Sequence, residues 1–173
     1  MATQDQITDL KEKMTSERDR LLAMLEPLGE EMAERSTTGE GEWSAKQQLA
    51  HLCEMETAYR AWVEKALAED NPNVDGLRGE RPAIPLEDAN ARSVAEHIAE
   101  MRRQRSQTEA MIDGMRPEDF DRTATQSMFG TLTLLQWLRS YYRHDRMHYD
   151  QASGAEPTYK PRFTGAEPDQ RRS

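Results

Sequence analysis

His144 and His148, four residues apart, are the side chains of this chain best placed to do chemistry. On a helix that spacing sets two side chains about 40° apart and one turn along the axis. Two imidazoles so placed can meet on one divalent cation at about 2.0–2.1 Å. Pairs of this spacing also arise on helix surfaces by chance, but Trp137 and Tyr141 share the side and turn the pair inward. His51 is the third candidate, grouped by angle with Met55, Ala58 and Trp62. Alone, a histidine on such an apolar face reads as a hydrogen-bonded core residue. It opens one helical segment, however, while the pair closes another. The three rings meet if those helices are antiparallel neighbours and lie at opposite ends if they are parallel. Cys53, two positions after His51, is rotated about 160° away and cannot share an ion with it on a regular helix. It reads as an inert buried thiol. His97 flanks an inner helix face and reads as structural.

Four segments with helical periodicity must position these groups. The first runs through Ile7, Leu10, Met14, Leu21, Leu25, Leu28 and Met32, with a break expected near Glu26 because Pro27 follows. A loop is expected over Ser36–Glu42. Ser44-Ala45-Lys46-Gln47 is a capping box that opens the second segment, which runs to about Glu69, with Trp43 stapled onto Leu49 or Leu52. Asp70–Leu86, rich in proline and glycine, reads as a long surface connection. The third helix is expected over Asp88–Gly114, with Val94, Ile98, Met101, Thr108 and Ile112 inward. Arg116–Thr131 reads as irregular. Thr133-Leu134-Leu135-Gln136, a second capping box, opens a fourth helix to about Ala152. With no strand candidate, the expected fold is an all-α four-helix bundle with a longer crossover, one domain over residues 1–153. Residues 154–173 read as an extended or disordered tail.

Composition agrees with wide solvated helix faces: 36% of the 173 residues are hydrophobic and 32% charged. A net charge of −9 argues against nucleic-acid binding, which needs a concentrated basic surface. The basic run Met101-Arg102-Arg103-Gln104-Arg105 has acidic neighbours and reads as a solvated face. A single cysteine excludes an intrachain disulfide framework, and the first residues carry no secretory signal. No apolar run approaches the roughly 20 residues of a membrane helix. A cytoplasmic protein is therefore expected. No Ser-His-Asp order or glycine-rich phosphate loop is present, which disfavours serine hydrolysis and nucleotide binding.

The stretches from Glu42 to Leu52, from Leu134 to Leu138, and His144-Asp145-Arg146-Met147-His148-Tyr149-Asp150-Gln151 together resemble the DinB-like superfamily. That family pairs a Trp-Ser…His entry to its second helix with His-Asp-x-x-His-x-x-Gln in its fourth. The resemblance covers about residues 7–153 and implies a four-helix bundle with a long crossover. It also implies a site for nickel, zinc, iron or manganese made by His51, His144 and His148. Several such proteins use low-molecular-weight thiols of the mycothiol, bacillithiol or glutathione type, and many are homodimers, for which Met24 and Leu67 leave apolar surface here. Asp145 can orient a ligand imidazole or pair with a neighbouring helix, and Gln151 can reach a ligand or substrate. Three functions stay open on this reading. They are a metal-dependent thiol S-transferase acting on a small electrophile, a hydrolase using a metal-bound water, and a non-catalytic, stress-related metal-binding module.

Overall fold

The computed structural model describes residues 1–35, 42–160 and 165–171. In chain order its helices are α1 (Gln4–Leu25), the short α2 (Glu30–Ala33), α3 (Ala45–Ala68), α4 (Val94–Asp113) and α5 (Leu134–Ser153). Each long helix opens with a capping box, on Thr3, Ser44, Ser93 and Thr133. In each, the hydroxyl accepts from the third helical N–H while that residue's side chain accepts from the cap N–H, so two orphan donors are satisfied reciprocally. α1 stops just before Pro27, which cannot donate into a continuing helix. Beyond it the register changes, so that Ala33 is buried and Met32, expected inward, is exposed. α4 begins six residues later than the expected Asp88. Ser93 and Glu96 set its start, and Leu86–Ala91 forms a separate 3-10 turn. The loop expected over Ser36–Glu42 lies, apart from Glu42, outside the described residues.

Two further segments differ from expectation. Arg116–Thr131, read as irregular, holds a 3-10 turn (Pro117–Asp121) and the antiparallel pair β1 (Thr123–Gln126) and β2 (Gly130–Thr133). Strands of four residues are too short to show a period. They are held from outside: Arg122 Nε donates to the Ala66 carbonyl at the end of α3, and Val74 and Thr125 bond through their backbones. In the tail, β3 (Tyr159–Lys160) pairs with β4 (Gln170–Arg171). Glu167 is seated between Arg139 and Arg143 of α5, at 3.3 and 2.9 Å, so this part of the tail is fastened to the bundle.

Side-chain pairings give the helix directions. His51 lies by His144 and His148, Tyr59 by Tyr141 and Trp62 by Trp137, so α3 and α5 are antiparallel. Cys53 meets Met101, Glu56 meets Arg105 and Arg60 meets Thr108, so α3 and α4 are parallel. Lys13 over Tyr142 and Arg18 on Asp145 make α1 and α5 parallel. Two parallel neighbours joined in sequence need a connection that returns the length of the bundle. Residues 69–93 supply it. Gly79 lies so close to α3, at φ +65°, that a Cβ there would sit 2.3 Å from the Thr57 carbonyl oxygen. No helix among the described residues is long and apolar enough to cross a membrane.

The interior is layered. One apolar cluster, around Leu10, Trp62, Phe120, Trp137 and Leu138, fills the half of the bundle next to the hairpin. A second, around Leu21, Leu49, Leu52, Ile98 and Met101, fills the other half. Arg18, Glu56, Arg105 and Asp145 lie between them, one from each long helix. The histidines stand at the second cluster's level, on the α3–α5 seam.

Candidate metal centre

Because α3 and α5 are antiparallel, the first turns of one face the last turns of the other. The rings of His51 and His144 are 5.1 Å apart between centroids, His51 and His148 5.6 Å, and His144 and His148 4.8 Å. One nitrogen from each can be chosen so that all three lie within 4.8 Å of one another. The Nε2 atoms of His144 and His148 are 3.2 Å apart. Two nitrogens at about 2.0–2.1 Å from a common ion are separated by about 2.9–3.4 Å, depending on coordination geometry. The α5 pair already has that separation, and only His51 must close in. His51 is the partly exposed member, whereas His148 is fully buried.

Two neighbours fix the rings. Gln48, one turn before His51, takes the Nδ1–H of His148 on its Oε1 at 3.0 Å, which leaves Nε2 with a free lone pair. The indole of Trp43, expected on Leu49 or Leu52, instead lies on His51 with centroids 4.8 Å apart. Burial is the main reason that all three imidazoles are hard to protonate. It pushes His51 down to about 3, with His144 adding to the effect, and His144 down to about 4, where Asp145 opposes and Arg18 assists. His148 falls well below the ordinary range, through burial and then its two neighbours. At neutral pH the centre therefore offers three uncharged nitrogen donors, a donor set suited to a divalent transition ion.

Of the supporting groups, Asp145 touches no imidazole. Its Oδ2 accepts from Arg18 Nε at 3.0 Å and Arg105 Nη2 at 2.8 Å, and its Oδ1 accepts from Arg18 Nη2 at 3.0 Å. Glu56 completes the cluster, 2.6 Å from Arg18 and 2.9 Å from Arg105, with the Thr108 hydroxyl donating at 2.7 Å. Asp145 thus pairs with neighbouring helices. Arg105, read as part of a solvated basic run, is buried, because Glu56 and Asp145 draw it inward. Burial would raise the Glu56 carboxyl, but Arg105 and Arg18 outweigh it and hold the group at about 2. Gln151 makes no contact with the imidazoles, and its buried Oε1 has no hydrogen-bond partner. His97 Nε2–H donates to the Ala89 carbonyl, 2.8 Å away, and Cys53 contacts Met101, so both take the structural places expected of them. Gln48 was missed, although its place three residues before His51 on the same face was a signal for it. The arginine–carboxylate cluster gave no such signal.

The profile of the DinB superfamily matches residues 5–152. A comparison with curated proteins finds no match. Among solved structures the chain is similar to YfiT from Bacillus subtilis, described as a probable metal-dependent hydrolase with an unusual four-helix bundle topology. The TM-score is 0.73 at 16% identity, covering 89% of this chain and 87% of that one. It is also similar to the mycothiol-dependent maleylpyruvate isomerase. One structure, of a variant, superposes with a TM-score of 0.65 at 15% identity and another with 0.54 at 17%. In both, the match covers 91% of this chain and 65% of the isomerase.

Proposed function

The chain belongs to the DinB superfamily, and from that premise we propose that it is a divalent-metal-dependent enzyme that transfers a low-molecular-weight thiol to a small electrophile. The observation that carries the reading is the convergence of three neutral imidazoles of which one is partly exposed. Such a centre holds an ion from one side and leaves the other to a small molecule, unlike a closed structural site. His51, His144 and His148 hold the ion, nickel, zinc, iron or manganese. Bound there, it supplies a lowered pKa to a thiol or a water that reaches it. The residues do the rest. Gln48 fixes the tautomer of His148, Trp43 limits the swing of His51, and the apolar second cluster keeps bulk solvent from the inner side of the rings.

A hydrolase using water in place of the thiol is the second reading. It is favoured by the chain's spanning nearly all of YfiT but only part of the isomerase.

The test begins with elemental analysis of the purified chain and of His51→Ala. About one metal per chain, lost in the variant, is expected. The metal-loaded protein should then consume free thiol when given an electrophile, and the metal-free protein should not. Thiol left unchanged, alongside metal-dependent cleavage of esters or amides, would move the assignment to the hydrolase.

Gln48→Leu removes the acceptor from His148 while keeping an uncharged side chain of similar size. Metal affinity, read by competition with a chromophoric chelator, should fall about 10- to 100-fold. An unchanged affinity would remove Gln48 from the site.

A further inference from the structure

His144 is the one α5 ligand whose second nitrogen has no protein partner: its Nδ1 is buried and makes no hydrogen bond. Its Nε2 faces His148 across the place where the ion would sit, so with Nε2 committed to the ion Nδ1 is the nitrogen left to carry the proton. A buried N–H without an acceptor loses its solvation uncompensated and leaves the tautomer of a ligand unfixed.

A cavity of about 10 Å³ adjoins this ring, where the charged side chains of Arg18, Glu56, Arg105 and Asp145 share the walls with Leu52 and Tyr59. Those wall residues are all buried. About 10–15 Å³ is the room one water needs, provided it finds two to four polar partners. The cluster has acceptors to spare. Each carboxylate oxygen has about two lone-pair sites. Glu56 Oε1 takes bonds from Arg105 and Thr108, and Asp145 Oδ2 takes bonds from Arg18 and Arg105. Glu56 Oε2 and Asp145 Oδ1 each take only the Arg18 Nη2 bond.

We infer that this cavity is a binding site for one water molecule, which accepts the Nδ1–H of His144 and donates to Glu56 and Asp145. The buried arginine–carboxylate cluster is then a positioning device for the metal centre. Through the water it fixes the tautomer of His144, as Gln48 does directly for His148. Asp145 supports its neighbouring ligand, but through the water and with Glu56 as its partner. The positioning role rests on the metal reading above; the water site does not.

Two measurements on the full-length chain test it. In zinc-loaded protein labelled with ¹⁵N-histidine, His144 should appear protonated at Nδ1, and with or without zinc its ring should show cross-relaxation to a long-lived water. No water cross-peak in either state overturns the site. In Leu52→Phe, which enlarges another wall residue of the cavity, the water signal should vanish and zinc affinity should drop about 10- to 100-fold with helical content retained. Loss of the water signal at unchanged affinity overturns the positioning role. If Phe is not tolerated, Leu52→Met, which conserves volume but reaches further, replaces it with the same two readouts. Should the wild type take up no zinc, the metal reading fails, and the water cross-peak still decides the cavity.

Discussion

Replacing Glu56 by glutamine should destabilise the protein by about 3–5 kcal/mol in chemical denaturation, a third or more of what a domain of this size commonly has. Arg18 and Arg105 would be left buried with Asp145 alone, one positive charge in excess in an interior without bulk solvent to screen it. The glutamine keeps the shape and a hydrogen-bonding oxygen, so the loss measures charge more than packing. Adding Arg105→Met restores neutrality, and the double variant should be clearly more stable than the two single losses summed. Acid gives a second readout. The Glu56 carboxyl lies at about 2 in the fold against 4.5 unperturbed. The stability from its ionisation is therefore complete above about pH 4.5 and disappears as pH falls through 2. The gap between wild type and Glu56→Gln should narrow over that interval. A gap below about 1 kcal/mol at neutral pH would show that the cluster is not the polar centre of this core.

The second large effect concerns the ion. A ligand that binds only the native state adds about 4 kcal/mol at a thousand times its dissociation constant. For a chain of this length each kcal/mol moves the midpoint by about 2–4 °C, so saturating zinc should raise Tm by roughly 8–16 °C. His148→Ala should abolish that rise, because it removes the donor whose lone pair Gln48 sets free. The variant is also less stable without metal, since Gln48 loses its partner. The zinc-induced shift, and not the starting Tm, is therefore the quantity to compare. A His148→Ala protein that kept more than half of the shift would place the ion elsewhere.

The residues of this centre were readable because their geometry is local or rests on caps. His144 and His148 share one helix at fixed spacing, and Ser44 and Thr133 set where α3 and α5 begin. What spacing left open was the relative direction of those helices, which depends on the crossover and its packing against α3. The arginine–carboxylate cluster escaped for the opposite reason. Arg18, Glu56 and Arg105 each fit the polar side of an amphipathic pattern, and only their joint burial gives them another role. The hairpin escaped because its strands are shorter than any period they could display, and the start of α4 because an upstream 3-10 turn resembles a first helical turn.

One group of the buried cluster comes from each long helix: Arg18 from α1, Glu56 from α3, Arg105 from α4 and Asp145 from α5. Any three of them carry an unbalanced charge. A partly assembled bundle that lacks one helix must either hydrate that excess or remain open, so three-helix intermediates are penalised whichever helix is missing. Unfolding is accordingly expected to be all-or-none, with helical signal and aromatic environment lost together. During synthesis the charge balance waits for the last helix, the same one that carries His144 and His148.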